Sequence, residues 1–207
     1  MTEEQREKAF REQLKALCPL VDQVRLMLAA ARHAFNRHSQ AQLEEMASLH
    51  KTFTLEIDPC FERVKKGLTK ASAAEEPYLP KLQQILTDLE LMAHKVAGLA
   101  EPLRYKANKG ALLSDQDVFA INNVFSQLGG LLQTLVDIFQ INDASLKAYV
   151  RQEIQKLSGG WFQSGTDHQT GMMDTPGQPA AWSVYLAILK VSREVVGHLE
   201  DIVKNLG

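Results

Sequence analysis

The sequence predicts an all-α protein made of two pseudo-repeated three-helix bundles. Apolar residues recur at spacings of three and four along most of the chain, and no segment shows the alternation typical of a strand. The apolar positions also match one another at a constant offset of 103 residues, about half of the 207 residues. Such a fixed period indicates two copies of one unit. We predict repeats at residues 1–109 and 110–207, packed as one compact unit. Matching pairs include Val21 with Val124, Leu28 with Leu131 and Leu86 with Leu189.

The first repeat contains three predicted helices. Residues 14–35 carry one continuous apolar stripe, which predicts a long amphipathic helix. A second helix is predicted from Ser39, a suitable N-cap, to residue 57, with a break or kink at Asp58 and Pro59 before residues 61–68. After a loop at residues 72–77, the third helix is predicted over residues 78–103.

The second repeat begins with a strong helix signal. Ser114 can cap a helix, and the acidic Asp115 and Asp117 favour its positive N-terminal end. Three helices are predicted over residues 114–138, 142–157 and 181–205. The Gly- and Pro-rich loop at 158–179 carries several large apolar side chains, which we predict to fold back on the bundle or to form a partner or dimer contact. These side chains are Trp161, Phe162, Met172 and Met173.

Composition narrows the classes of function. A hydrophobic content of 45% and a charged content of 23% are typical of a globular protein. A net charge of −2 and a pI near 6.3 give no electrostatic reason to expect nucleic acid as a partner. No apolar stretch approaches the ~18 to 20 residues that cross a bilayer, and the start is too charged for a secretory signal. We therefore expect a cytoplasmic protein, with Cys18 and Cys60 as free thiols.

Two carboxylate and imidazole pairs are the strongest chemical signal. Glu90 and His94 lie one helical turn apart, as do Glu194 and His198, so each pair can present two ligands to one ion. The pairs match at an offset of 104 rather than 103, and a one-residue slip turns a helical side chain by about 100°. A third ligand would have to come from elsewhere, with His50 or Glu45 as candidates.

A weak surface interaction is the alternative interpretation of these pairs. The other histidines, among them His33, His38 and His168, are predicted to be solvent-facing or loop positions. The chain shows no Gly-rich phosphate loop, no nucleophile elbow and no zinc-hydrolase motif. We therefore predict no catalytic residue and no enzymatic activity.

Two segments carry a resemblance to a known family. They are the run Glu101-Pro-Leu-Arg-Tyr-Lys-Ala-Asn-Lys-Gly-Ala-Leu-Leu-Ser-Asp115 and the segment of residues 182–202. The run resembles the joint between the halves of the PhoU-domain family of phosphate uptake regulators, and residues 182–202 resemble the last helix of these proteins. The resemblance implies a pair of three-helix bundles whose third helices each carry a Glu-x-x-x-Asp motif that holds an iron or zinc cluster.

The chain departs from that motif in both repeats. In the first repeat the motif falls on Glu90 and His94, and in the second the ungapped match falls on Arg193 and Gly197. His198 matches a histidine that commonly follows the motif. A Glu and His pair suits a single Zn²⁺ or Fe²⁺ ion better than a carboxylate-rich iron cluster. We expect iron or zinc at these residues, or no metal.

The resemblance implies an accessory role in phosphate homeostasis. The bundle would dock on a phosphate transporter or its sensor kinase at the inner face of the membrane, with a homodimer as a further expectation, and would lower uptake or signalling when phosphate is plentiful. Three alternatives remain: a metal-binding bundle, a metal-free interaction protein and, least favoured, a divergent ferritin-like oxidase.

Overall fold

The structure is a computed structural model that describes residues 2–70, 77–157 and 179–207. All regular secondary structure in these three ranges is helical, and the all-α prediction is confirmed. The predicted loop residues Trp161, Phe162, His168, Met172 and Met173 lie outside the described residues. The helices are α1 (Glu3–Ala16), α2 (Cys18–Arg37), α3 (Gln40–Lys70), α4 (Tyr78–Ala97), α5 (Ala100–Lys109), α6 (Asp115–Ile141), α7 (residues 144–157) and α8 (Pro179–Asn205).

The first predicted helix is divided at Leu17. Pro19 has no N–H, so it cannot donate the helical bond to the Lys15 carbonyl. The chain tightens here instead, because Leu17 N–H donates to Leu14 O (2.9 Å) and Leu20 N–H donates to Leu17 O (3.0 Å). The single helix predicted over residues 14–35 is therefore two helices, α1 and α2, joined at one residue.

Of the break or kink predicted at Asp58 and Pro59, the break is wrong, because α3 runs through Pro59 without interruption. Ser39 caps this helix as predicted, since its Oγ accepts from Gln42 N–H (3.4 Å). Pro59 leaves the Leu55 carbonyl without its helical donor, but Leu55 is 66% exposed and its side of the helix faces water. Water can satisfy that carbonyl, and burial of the opposite face holds the helix together.

The predicted third helix is also divided, at Gly98 and Leu99. Pro102 has no N–H to donate to the Gly98 carbonyl. In the same turn, Leu99 N–H donates to Val96 O (3.0 Å), three residues back rather than the four of an α-helix. Both residues keep right-handed helical backbone angles, so α5 continues roughly in the direction of α4. The division changes the hydrogen bonding more than the course of the chain.

The second half begins at a capping box, as the sequence predicts. Ser114 Oγ accepts from Asp117 N–H (3.2 Å), and Asp117 Oδ2 accepts from Ser114 N–H (3.3 Å). Asp143 caps α7 in a similar way, since its Oδ1 accepts from Ser145 N–H (2.7 Å) and Leu146 N–H (3.0 Å).

Within the described ranges, helix α6 is long and apolar enough to cross a membrane by length and composition alone, with a mean hydropathy of 1.2 over 18 residues. The sequence analysis expected no apolar stretch of this length, and α6 shows that this expectation was wrong. Half of that window is buried inside the bundle, where α6 packs against α1, α2 and α8. Burial in a protein core accounts for this apolar composition.

The two halves pack on each other mainly through two helix pairs, α2 with α6 and α4 with α8, with further contacts of α5 with α8 and of α1 with α6. The α2–α6 pair is antiparallel, because Cys18 Sγ contacts Val136 O (3.8 Å) near one end and the Phe35 and Phe125 rings lie 6.2 Å apart near the other. The buried apolar side chains of both halves form one cluster. The boundary between repeats at residues 109 and 110 stays a prediction.

Candidate functional site

The predicted ligand pair of the first half lies at the surface of α4. Glu90 and His94 are both exposed, one turn apart. His94 faces His50 of α3, with ring centroids 6.2 Å apart. Burial first, and the nearby His94 second, lower the pKa of His50. The two imidazoles lie close together. Because the lowered pKa favours the neutral form of His50, this imidazole can act as a metal ligand. Of the two candidates for a third ligand, His50 lies beside His94, whereas Glu45 accepts from Gln42 Nε2 (2.8 Å).

Glu194 meets a lysine across the helix interface. Its Oε2 lies 3.1 Å from Lys95 Nζ on α4, and both side chains are about one-third exposed, at 31% and 36%. This ion pair joins the two halves at the surface of the α4–α8 contact. Partial exposure limits its contribution to stability to roughly 1 kcal/mol or less.

His198 also contacts the first half, through a buried carboxylate. Its Nδ1 lies 3.0 Å from Asp88 Oδ1, and the Asp88 side chain is only 3% exposed. Gln84 Nε2 donates to the second oxygen, Asp88 Oδ2, at 3.2 Å. Both carboxylate oxygens therefore have a partner, as a buried carboxylate requires.

Sequence reasoning missed Asp88, although the sequence carried a signal for it. Asp88 lies three residues after Ile85 and four before Met92, which are core residues of α4. A carboxylate in the register of an apolar stripe indicates a buried polar contact, because an unpaired charge there would be costly. The identity of its partner, 110 residues away in sequence, carried no such signal.

The four predicted ligands do not converge on one point. Glu90 and His94 lie near His50, whereas Glu194 and His198 take separate partners on α4. Among residues 2–70, 77–157 and 179–207, no group of three or more His, Cys, Asp or Glu side chains is placed to hold one ion. Metal binding at these residues stays a prediction.

A buried lysine lies at the joint between the halves. Lys106 is 6% exposed, donates to the Phe35 carbonyl (2.9 Å) and lies 2.5 Å from His38 Nε2. Burial lowers the pKa of Lys106, and burial together with the Lys106 charge lowers the pKa of His38. The Nε2 of a neutral His38 can accept a hydrogen bond from the Lys106 ammonium group. The lysine therefore satisfies a carbonyl at the C-terminal end of α2, where cations are favoured.

A groove of about 460 Å³ runs between α8 and the α4–α5 segment. Lys95 and Glu194 line one end of it and form the ion pair described above. Since α8 runs antiparallel to α4, Tyr105 and Ser183 lie toward the other end. We call this feature the α5–α8 groove.

No protein-family model matches the sequence, and no curated protein matches it significantly. Solved structures, by contrast, are similar to the chain. The crystal structure of PhoU from Pseudomonas aeruginosa is similar with a TM-score of 0.83 at 16% identity, over 99% of this chain and 97% of that one. The chain has the PhoU fold. The phosphate transport system regulatory protein PhoU from Streptococcus pneumoniae is similar with a TM-score of 0.81 at 15% identity, over 97% and 94% of the two chains.

Arg193 and Gly197 of α8, on which the resemblance places the second motif, supply no carboxylate. A Cβ added at Gly197 would meet no atom within 4 Å, so the space beside this residue is open. The neighbouring Glu194 and His198 are occupied by Lys95 and Asp88. This part of α8 contributes contacts between the two halves.

Proposed function

We propose that the protein is a PhoU-like regulator of phosphate transport or signalling that acts by protein contact. The observation that carries this proposal is the similarity of the fold over nearly the whole chain to two PhoU structures, one of them named as a phosphate transport system regulatory protein. In this role the protein contacts a phosphate transporter or its sensor kinase at the inner face of the membrane, from the cytoplasm, as a monomer or a homodimer.

The polar contacts of the α4–α8 interface favour a role in binding rather than catalysis. Glu194 and His198 each contact a residue of the first half, so these groups contribute to the contact between α4 and α8. The outer helix faces then remain available as a binding surface for a partner protein.

Deletion of the gene in its native organism tests the proposal. Uptake of radiolabelled phosphate in phosphate-rich medium should rise in the deletion strain and return to normal on complementation. Purified protein should also bind the transporter or the sensor kinase in lipid nanodiscs. Unchanged uptake, together with no binding to either membrane protein, would contradict the proposed function.

Metal binding at Glu90 and His94, with His50 as the facing ligand, is the second candidate function. Because no three such side chains in the described ranges already surround one point, these side chains would have to rotate to enclose the ion. The observation that favours it is the 6.2 Å separation of the two imidazole rings, with a carboxylate one turn from His94. Imidazole and carboxylate ligands suit Zn²⁺ or Fe²⁺. When bound, the ion would crosslink α3 to α4.

Elemental analysis of protein purified without a His-tag tests this candidate. Zinc or iron near one equivalent should disappear in the Glu90→Ala, His94→Ala variant and in His50→Ala. The matched control is His33→Ala, an exposed histidine on α2, which should retain the metal. Metal that survives the loss of His50 and His94 would rule out this site.

A further inference from the structure

The α5–α8 groove is about as long as three turns of an α-helix. One wall is formed by α8 between Ser183 and Glu194, which at 1.5 Å per residue is a length of about 16 Å. Three turns of an incoming helix span the same distance. Gly98 lies on the opposite wall.

The lining of the groove is amphipathic. Pro102, Ala187 and Val191 supply an apolar strip along its length. Such a strip between α8 and the α4–α5 segment suits the apolar face of an incoming helix. That helix would place apolar side chains at positions i, i+3 or i+4 and i+7 against the strip.

Two opposite charges line the same groove without a partner among the described residues. Lys190 extends from α8 and Glu101 from α5, and both are exposed. Lys190 lies one turn from the Lys95 and Glu194 ion pair, so this end carries a net positive charge. Glu101 carries a negative charge on the α5 wall. The groove therefore presents charges of opposite sign on its two walls.

We propose that this groove binds an amphipathic helix of the partner protein, with an acidic residue of that helix facing Lys190 and a basic residue facing Glu101. The proposal rests on the proposed function, because it names the surface through which the regulator contacts the transporter or kinase. The apolar face of the incoming helix would cover Val191, Ala187 and Pro102.

Charge reversal in the groove tests the proposal. The full chain and its Lys190→Glu and Glu101→Lys variants are titrated against the phosphate transporter and, separately, against the sensor kinase in nanodiscs. Each reversal should weaken binding by about tenfold, because it places like charges together at the contact. The matched control, Lys8→Glu on the exposed side of α1, should change affinity by about twofold or less. Circular dichroism melting of each variant confirms that the fold is kept.

A photo-crosslinking amino acid locates the contact directly. Placed at Ser183 in the groove, it should crosslink to a helical segment of the partner that carries both an acidic and a basic residue. Placed at the exposed Ser126 of α6, it should not. Binding that survives both reversals, or crosslinks only from Ser126, overturns the groove and leaves the proposed function standing. Crosslinks from Ser183 to a second copy of this chain overturn it in favour of a homodimer. Absence of binding by the unaltered chain to both membrane proteins overturns both proposals.

Discussion

Asp88 shows how one buried polar residue connects the two halves of the molecule. Its carboxylate lies on the core side of α4 and accepts from Gln84 and from His198 of α8. A buried carboxylate that loses a partner retains its desolvation cost without compensation. Loss of the His198 contact should therefore lower the free energy of unfolding, because Asp88 stays buried with one partner fewer.

A double-mutant cycle tests this coupling. His198→Ala leaves Asp88 with Gln84 alone and should lower the free energy of unfolding by about 2 to 3 kcal/mol. Asp88→Asn combined with His198→Ala should cost less than the sum of the single changes, by about 1 kcal/mol or more, because the neutral side chain no longer needs the imidazole. Urea denaturation measures all three. Additive costs would show that the two residues do not interact. The exposed His33→Ala serves as the control, with a change within about 0.5 kcal/mol.

His50 and His38 predict how stability depends on pH. In the folded protein the pKa of each imidazole is lowered, chiefly by burial, below the ordinary value of 6.5. Between the folded pKa and 6.5 the unfolded chain binds more protons than the folded protein, so stability falls as the pH drops through this window.

Replacement of both imidazoles isolates that contribution. In a His50→Gln, His38→Gln variant, the fall in the free energy of unfolding between pH 7 and pH 5, measured in urea, should be smaller than in the unaltered chain. A control with His33→Gln, an exposed position, should keep the full pH dependence. An equal fall in all three proteins would contradict the prediction.

Proline has opposite consequences at different places in the helices. Pro19 and Pro102 lie in the first turns of α2 and α5, where a missing N–H costs little, and helix breaks precede them. Pro59 lies in the interior of α3, where it removes a hydrogen bond and yet leaves the helix continuous.

Substitution of Pro59 separates these roles. Pro59→Ala should raise the free energy of unfolding by about 1 to 2 kcal/mol, because it restores the bond to the Leu55 carbonyl at some cost in unfolded-state entropy. Pro80→Ala, at an exposed position in the first turn of α4, should change it by less than about 0.5 kcal/mol. Denaturant midpoints provide the comparison, and a destabilised Pro59→Ala protein would show that the proline shapes a required bend.

At the level of helices, local chemistry was the reliable guide. Ser39 and Ser114 cap the helices that the sequence assigned to them, because a cap depends on residues within three positions. The break at Pro59 was wrong since the burial of side chains on the opposite face of α3, a tertiary effect, outweighs the local defect. The division at Gly98 and Leu99 was missed because the apolar spacing continues across it.

For the whole molecule, apolar periodicity and the resemblance predicted the PhoU fold, whereas the arrangement of the candidate site did not follow from the sequence. Glu194 and His198 have the spacing of a metal pair, but the facing helix supplies Lys95 and Asp88. Which residues face them depends on the register of α4 against α8, and no local pattern specifies that register. His50 and His94 meet for the same reason, through the contact of α3 with α4.

The shared core predicts that both halves unfold together. Phe53 of α3 is 1% exposed and α3 packs mainly against α2 and α4, which in turn contact α6 and α8. Phe53→Ala should cost about 3 to 5 kcal/mol, and the slowest-exchanging amides of α8 should lose as much protection as those of α4. Native-state hydrogen exchange measures both, with Leu199→Ala, a buried change in α8, as the reciprocal variant. Loss of protection confined to the mutated half would show instead that residues 1–109 and 110–207 fold as separate domains, since only a continuous core transmits the defect from α3 to α8.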